Sequence, residues 1–185
     1  MKQVGWLRCF AVLAVLSIFC PTPAFGRLAP SRLSDLISDS ALIVQTSVIQ
    51  LGTEIPGTRL PVFAVLRVQH VFKGTYDQET VRIEFEPEQH EQFITTTQYE
   101  RLLFLKKTTD GKYTATQYGR SYWPLIWVEG AERKLATPYV YSTSSLSVPE
   151  TLVKEAEVAA PELLLERRVK AIYLEDLIPL LGTEK

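Results

Sequence analysis

Two stretches of this 185-residue chain carry side chains whose types could do chemistry. The first is acidic: Glu84, Glu86, Glu88, His90 and Glu91 crowd into one short segment. Carboxylates with an imidazole can hold a hard or borderline cation, or serve a carboxylate-dependent hydrolase. Glu84 and Glu86 can share a strand face, but Pro87 breaks the strand behind them and leaves His90 on a loop, so the run also reads as the solvated face of an edge strand. The second is aromatic: Tyr118, Tyr122, Trp123 and Trp127, with Tyr139 and Tyr141 nearby. Aromatic faces stack on sugars or bases or anchor a protein interface, and the same rings can instead fill a barrel mouth or pack under a helix. His70 and His90 are the only histidines, so a hydrolytic triad or a histidine zinc site needs one of them. His70 falls where strand alternation slips against Val71 and Phe72, which predicts a β-bulge. No Gly-x-Ser-x-Gly elbow, phosphate-binding glycine loop or His-Glu-x-x-His zinc helix is present. The residues assign no catalytic group, no metal site and no cofactor; Tyr118, Tyr122, Trp123 and Trp127 are the candidate ligand-binding set.

The elements that must position these residues read mainly as β. Ser31 to Asp39 spaces Leu33, Leu36 and Ile37 as a short helix, with Ser31 or Ser34 as its N-cap. Ala41–Leu51 and Leu60–Phe72 are strand-like around the loop Gly52–Thr58. Val81, Ile83 and Phe85 alternate with Arg82 and Glu84. From Arg101 to Lys107, Leu103 and Leu105 face one way and Leu102 and Phe104 the other, which predicts a central strand or one covered by a helix. Asp110-Gly111 predicts a two-residue type I′ hairpin. Ser147 and Glu150 fit a capping box, and Pro161 is expected to open a second helix with Leu165, Val169 and Ile172 as its apolar stripe, an exposed Glu166–Lys170 pair and Pro179 as its end. Arg167, Arg168 and Lys170 are interleaved with Glu162, Glu166 and Glu175, the mark of a solvated face rather than a membrane contact.

Residues 1–26 read as an export leader: Lys2 and Arg8 give a positive start, Cys9–Cys20 is an uncharged apolar run, and small residues follow Pro21. Cleavage is expected near Phe25 or Arg27. The run is short for a spanning helix, and Phe19 stands where a lipoprotein signal wants a small residue before Cys20. With the leader gone the chain has no cysteine, hence no disulfide, thiolate nucleophile or cysteine metal site. The sequence has no asparagine, so no N-glycosylation acceptor. Losing Lys2 and Arg8 leaves 18 basic against 21 acidic residues, without the basic surplus of a nucleic-acid binder.

Three segments resemble the OB-type barrel of tissue inhibitors of metalloproteinases, netrin-like modules and uncharacterised bacterial secreted proteins. These are Ala41-Leu42-Ile43-Val44 with Val48, the stretch from Val65 to Lys73-Gly74, and Tyr99 to Leu105. The resemblance implies a small antiparallel barrel. It does not carry over the inhibitors' mechanism, which uses an N-terminal cysteine on the target's zinc; the glycine usual before the third segment's Tyr is also replaced, by Thr97-Gln98.

The expectation is therefore a secreted or periplasmic protein, mainly β: a small antiparallel OB-like barrel with a short N-terminal helix and a C-terminal helical arm. Its parts are the leader (1–26), the barrel (27–147) and the arm (148–185). It is expected to act by binding, another envelope or extracellular protein being the leading partner, with no nucleic acid and no transmembrane segment after cleavage. The alternatives are a metal- or carboxylate-dependent hydrolase on Glu84, Glu86 and His90, and a carbohydrate or small-ligand module on Trp123 and Trp127.

Overall fold

The computed structural model describes residues 31–53, 61–85, 97–128, 134–136, 146–157 and 168–182. A two-residue strand β1 (Ser31–Arg32) leads into helix α1 (Leu33–Asp39), then β2 (Leu42–Thr53), β3 (Pro61–Lys73), β4 (Thr80–Glu84), β5 (Glu100–Lys107) and β6 (Tyr113–Ala115). A 3₁₀ turn (Tyr118–Ser121) is followed by β7 (Tyr122–Trp127), β8 (Lys134–Ala136), β9 (Leu146–Ser147), β10 (Lys154–Glu157), β11 (Arg168–Tyr173) and helix α2 (Leu174–Leu181). Among the described residues, no helix is long and apolar enough to cross a membrane.

Strands β2 to β6 close on themselves in the order β2-β3-β4-β6-β5 and back to β2. All pairings are antiparallel except the closing one, a single parallel rung between Ile83 of β4 and Tyr113 of β6. This is the OB-like barrel the sequence predicts. Strand β7 joins the free half of β5's outer edge, and β8, β11 and β10 extend the sheet beyond the barrel.

Alternation on the strands makes two cores. Leu42 and Val44 of β2, Leu66 of β3, Val81 and Ile83 of β4, and Leu103 and Leu105 of β5 point into the barrel. Ile43, Leu102 and Phe104 point outward, where Leu33 and Leu36 of α1 and Leu174, Leu177 and Leu181 of α2 cover them. Each such side chain contributes about 1.5–3 kcal/mol on burial. The two-faced apolar pattern of β5 thus marks a wall shared by both cores, as the sequence indicates.

Several local expectations are corrected. The N-cap of α1 is Arg32, not Ser31 or Ser34; its backbone N–H donates to the Asp35 carboxylate at 3.2 Å. The hairpin after β5 is a three-residue loop, not a two-residue type I′ turn. Gly111 N–H donates to Thr108 carbonyl at 3.0 Å and Thr108 N–H to Lys112 carbonyl at 2.8 Å, with Gly111 at φ 83°. Glycine's tolerance of that region is what the loop uses. Glu150 opens no helix: after a turn closed by Leu152 N–H on Pro149 carbonyl the chain enters β10. Residues 168–173 are strand, not helix, so Ile172 covers the outer core from β11 while Ala171 packs on Ile126 across the sheet. Sheet pairing with β10 and β8 overrides the helical spacing there. The C-terminal helix starts later and runs through Pro179, because Leu177 and Leu181 on either side of it are fully buried. Pro161, Leu165 and Glu166 lie outside the described residues.

Candidate functional site

The three described side chains of the predicted aromatic set, Tyr122, Trp123 and Trp127, do not converge. Tyr122 points into the barrel, edge-on to Phe85 with ring centres 6.0 Å apart. Trp123, one residue on, faces the opposite way into the outer core against Phe104 at 4.9 Å, and its indole N–H donates to the Arg120 carbonyl at 2.6 Å. Both rings are buried. Successive residues of a strand face opposite sides, and here both sides are core. Trp127, four residues beyond Trp123, is on the same outer side but past the cover of the helices, and is 60% exposed. The Tyr118 side chain, Tyr139 and Tyr141 lie outside the described residues.

The acidic stretch contributes one described residue. Glu84 is exposed on β4, with its carboxylate 3.5 Å from Arg82 Nε and 3.7 Å from Lys112 Nζ. Glu86, Glu88, His90 and Glu91 lie outside the described residues, and among the described residues no group of three or more His, Cys, Asp or Glu is placed to hold a metal. His70 is exposed and rests against Phe72, ring centres 4.5 Å apart. The predicted irregularity there is real: the β2–β3 register passes from Gln45↔His70 to Thr46↔Val68, skipping Gln69.

That bulge builds part of a site the sequence reading missed. Bulges re-aim side chains, and Gln69 Nε2 donates to Glu100 Oε1 at 3.3 Å while its Oε1 accepts from Gln45 Nε2 at 3.2 Å. Glu100, the first residue of β5, also accepts from Gln45 Nε2 at 2.7 Å and from Lys134 Nζ at 2.6 Å, both on Oε2. Lys134 on β8 stands opposite Trp127 on β7, its ammonium 4.8 Å from the indole ring centre. A connected row of Gln69, Gln45, Glu100, Lys134 and Trp127 therefore crosses the outer wall of the sheet. Partial burial pushes the Glu100 carboxyl up, but the hydrogen bonds from Lys134 and Gln45, the Lys134 charge and the Gln69 amide outweigh it, so the pKa lies below the ordinary carboxylate value. The only sequence signals for this row were the slip at His70 and the single carboxylate of β5, at its first residue. Lys134 and the two glutamines are brought in by pairing alone.

A second concavity lies between the helices: a groove of about 540 Å³ bordered by Leu33, Ile37, Val148, Pro149, Leu180 and Leu181, with Arg32 at its rim. It is largely apolar, and Leu180 beside it is partly exposed.

The fold and this wall define a class: a small five-stranded OB-like barrel with a polar and aromatic row on its outer surface. Compared with known proteins, the chain matches no family model and finds no curated relative. A closed barrel of this kind is shared by unrelated families and does not by itself select the inhibitor or netrin-like one.

Proposed function

We propose that this chain is an exported, non-catalytic binding module whose working surface is the wall around Trp127, Lys134 and Glu100. The observation that carries the reading is Trp127, a large ring displayed to solvent from a rigid strand beside charges already fixed by one another. Tryptophan is among the residues enriched in binding hot spots. Glu100 is unsuited to act as a general acid, which needs a raised pKa, because its neighbours hold this carboxylate ionised as a fixed acceptor. The leader-like residues 1–26 and the mildly acidic remainder support export and argue against nucleic-acid partners.

The test uses the exported protein and its Trp127→Ala variant as baits against protein and glycan fractions of the source cell's envelope and medium. A species held by the wild type and released by the variant, at unchanged melting temperature, is the expected result. Equal retention by both baits overturns the reading.

A further inference from the structure

We infer that the Trp127 wall is a subsite for an uncharged, extended saccharide. This rests on the binding reading above and names its ligand class.

Among the described residues of the row, the charges cancel one another. Glu100 and Lys134 meet at 2.6 Å, and the remaining partners, Gln45 and Gln69, are neutral carboxamides. An anionic ligand would want a surplus cation and a cationic one a surplus carboxylate; neither stands in this row. What the row offers is donors and acceptors side by side, the complement of hydroxyl groups, each of which both donates and accepts. Trp127 adds a flat apolar face next to them, the partner suited to the C–H face of a pyranose ring whose rim carries those hydroxyls.

The spacing fits as well. Gln69, Gln45, Glu100, Trp127 and Lys134 come from β3, β2, β5, β7 and β8, which are successive neighbours in the sheet. Strands lie about 4.8 Å apart, so the row steps across the wall at a period close to the length of one hexose unit. A protein hot spot instead wants its aromatic anchor inside a desolvated apolar ring, whereas Trp127 is 60% exposed with the Lys134 ammonium against its ring. The mutual hydrogen bonds hold the groups in place before any ligand arrives, reducing the ordering cost of binding.

The experiment titrates the exported protein with cellohexaose, chitohexaose and xylohexaose, their disaccharides, and hexagalacturonate as the charged control, by calorimetry and tryptophan fluorescence. At least one neutral hexasaccharide is expected to bind, more tightly than its disaccharide and with little dependence on salt. Trp127→Ala should weaken it by about tenfold or more, and Gln45→Ala/Gln69→Ala by a smaller factor. Because Trp127 is exposed, its loss leaves folding intact, checked by an unchanged melting temperature. Silence with all three neutral hexamers, binding indifferent to Trp127→Ala, or binding of hexagalacturonate alone would overturn the inference. If the saccharides are silent while a Trp127-dependent protein is retained from the extracts, the ligand class is wrong and the binding reading stands; if nothing depends on Trp127, both fall.

Discussion

Glu100 shows two opposing effects on one carboxyl. Burial raises its pKa, and Lys134, Gln45 and Gln69 lower it by more. A folded pKa below the unfolded one means fewer protons bound in the native state, so the stabilisation is present above the ordinary carboxyl pKa and is lost as pH falls through the folded value. Glu100→Gln should therefore cost about 1 kcal/mol at neutral pH, and the gap to wild type should close in acid below the ordinary carboxyl range; thermal melts of both proteins from pH 7 to pH 3 check this. A gap that widened on acidification would mean the carboxylate is not held ionised by its neighbours. The two described tryptophans of the aromatic stretch separate in the same way. Trp123→Ala removes a buried ring and should cost about 3–5 kcal/mol, while Trp127→Ala should stay within about 0.5 kcal/mol.

At the level of elements, the Lys73-Gly74 turn at the end of β3 is where helix and barrel are joined. The Lys73 ammonium donates to the carbonyls of Ile37 at 2.9 Å and Ser38 at 3.2 Å, satisfying the end of α1 and meeting its negative pole. Gly74 has φ +84°, and a Cβ there would lie 2.3 Å from the Ala41 carbonyl oxygen. Gly74→Ala should thus cost about 2 kcal/mol or more, through left-handed strain and that backbone clash together, measurable as a lower denaturation midpoint. Elements of this kind were legible where a local rule and the tertiary pairing agreed: α1 from its leucine spacing, β4 from strict alternation, β5 from being apolar on both faces. They were illegible where pairing overrode spacing. Val169 and Ile172 sit three apart as in a helix, yet β10 and β8 recruit them into β11; Pro179 looks like a terminator, yet Leu181 anchors the turn beyond it. The candidate wall was nearly invisible for the same reason, since Gln45, Gln69, Glu100 and Lys134 are distant in sequence and only strand order makes them neighbours.

For the whole molecule, β5 ties the two cores into one unit, because Leu103 and Leu105 belong to the barrel interior and Leu102 and Phe104 to the layer under the helices. Leu66→Ala inside and Leu36→Ala outside should each cost about 2–5 kcal/mol. In both variants circular dichroism and tryptophan fluorescence should report a single coincident transition; a separate early loss of the Trp123 signal in Leu36→Ala would show that the outer layer melts alone. The strand order carries one more consequence. A closed cylinder hides its backbone from neighbouring molecules, but the described sheet continues past the barrel and terminates at β10, where Lys154 and Glu155 stand exposed. Those two charges act as gatekeepers on a rim that could otherwise template chain-to-chain stacking, and replacing them with valine would shorten the time a concentrated solution stays clear.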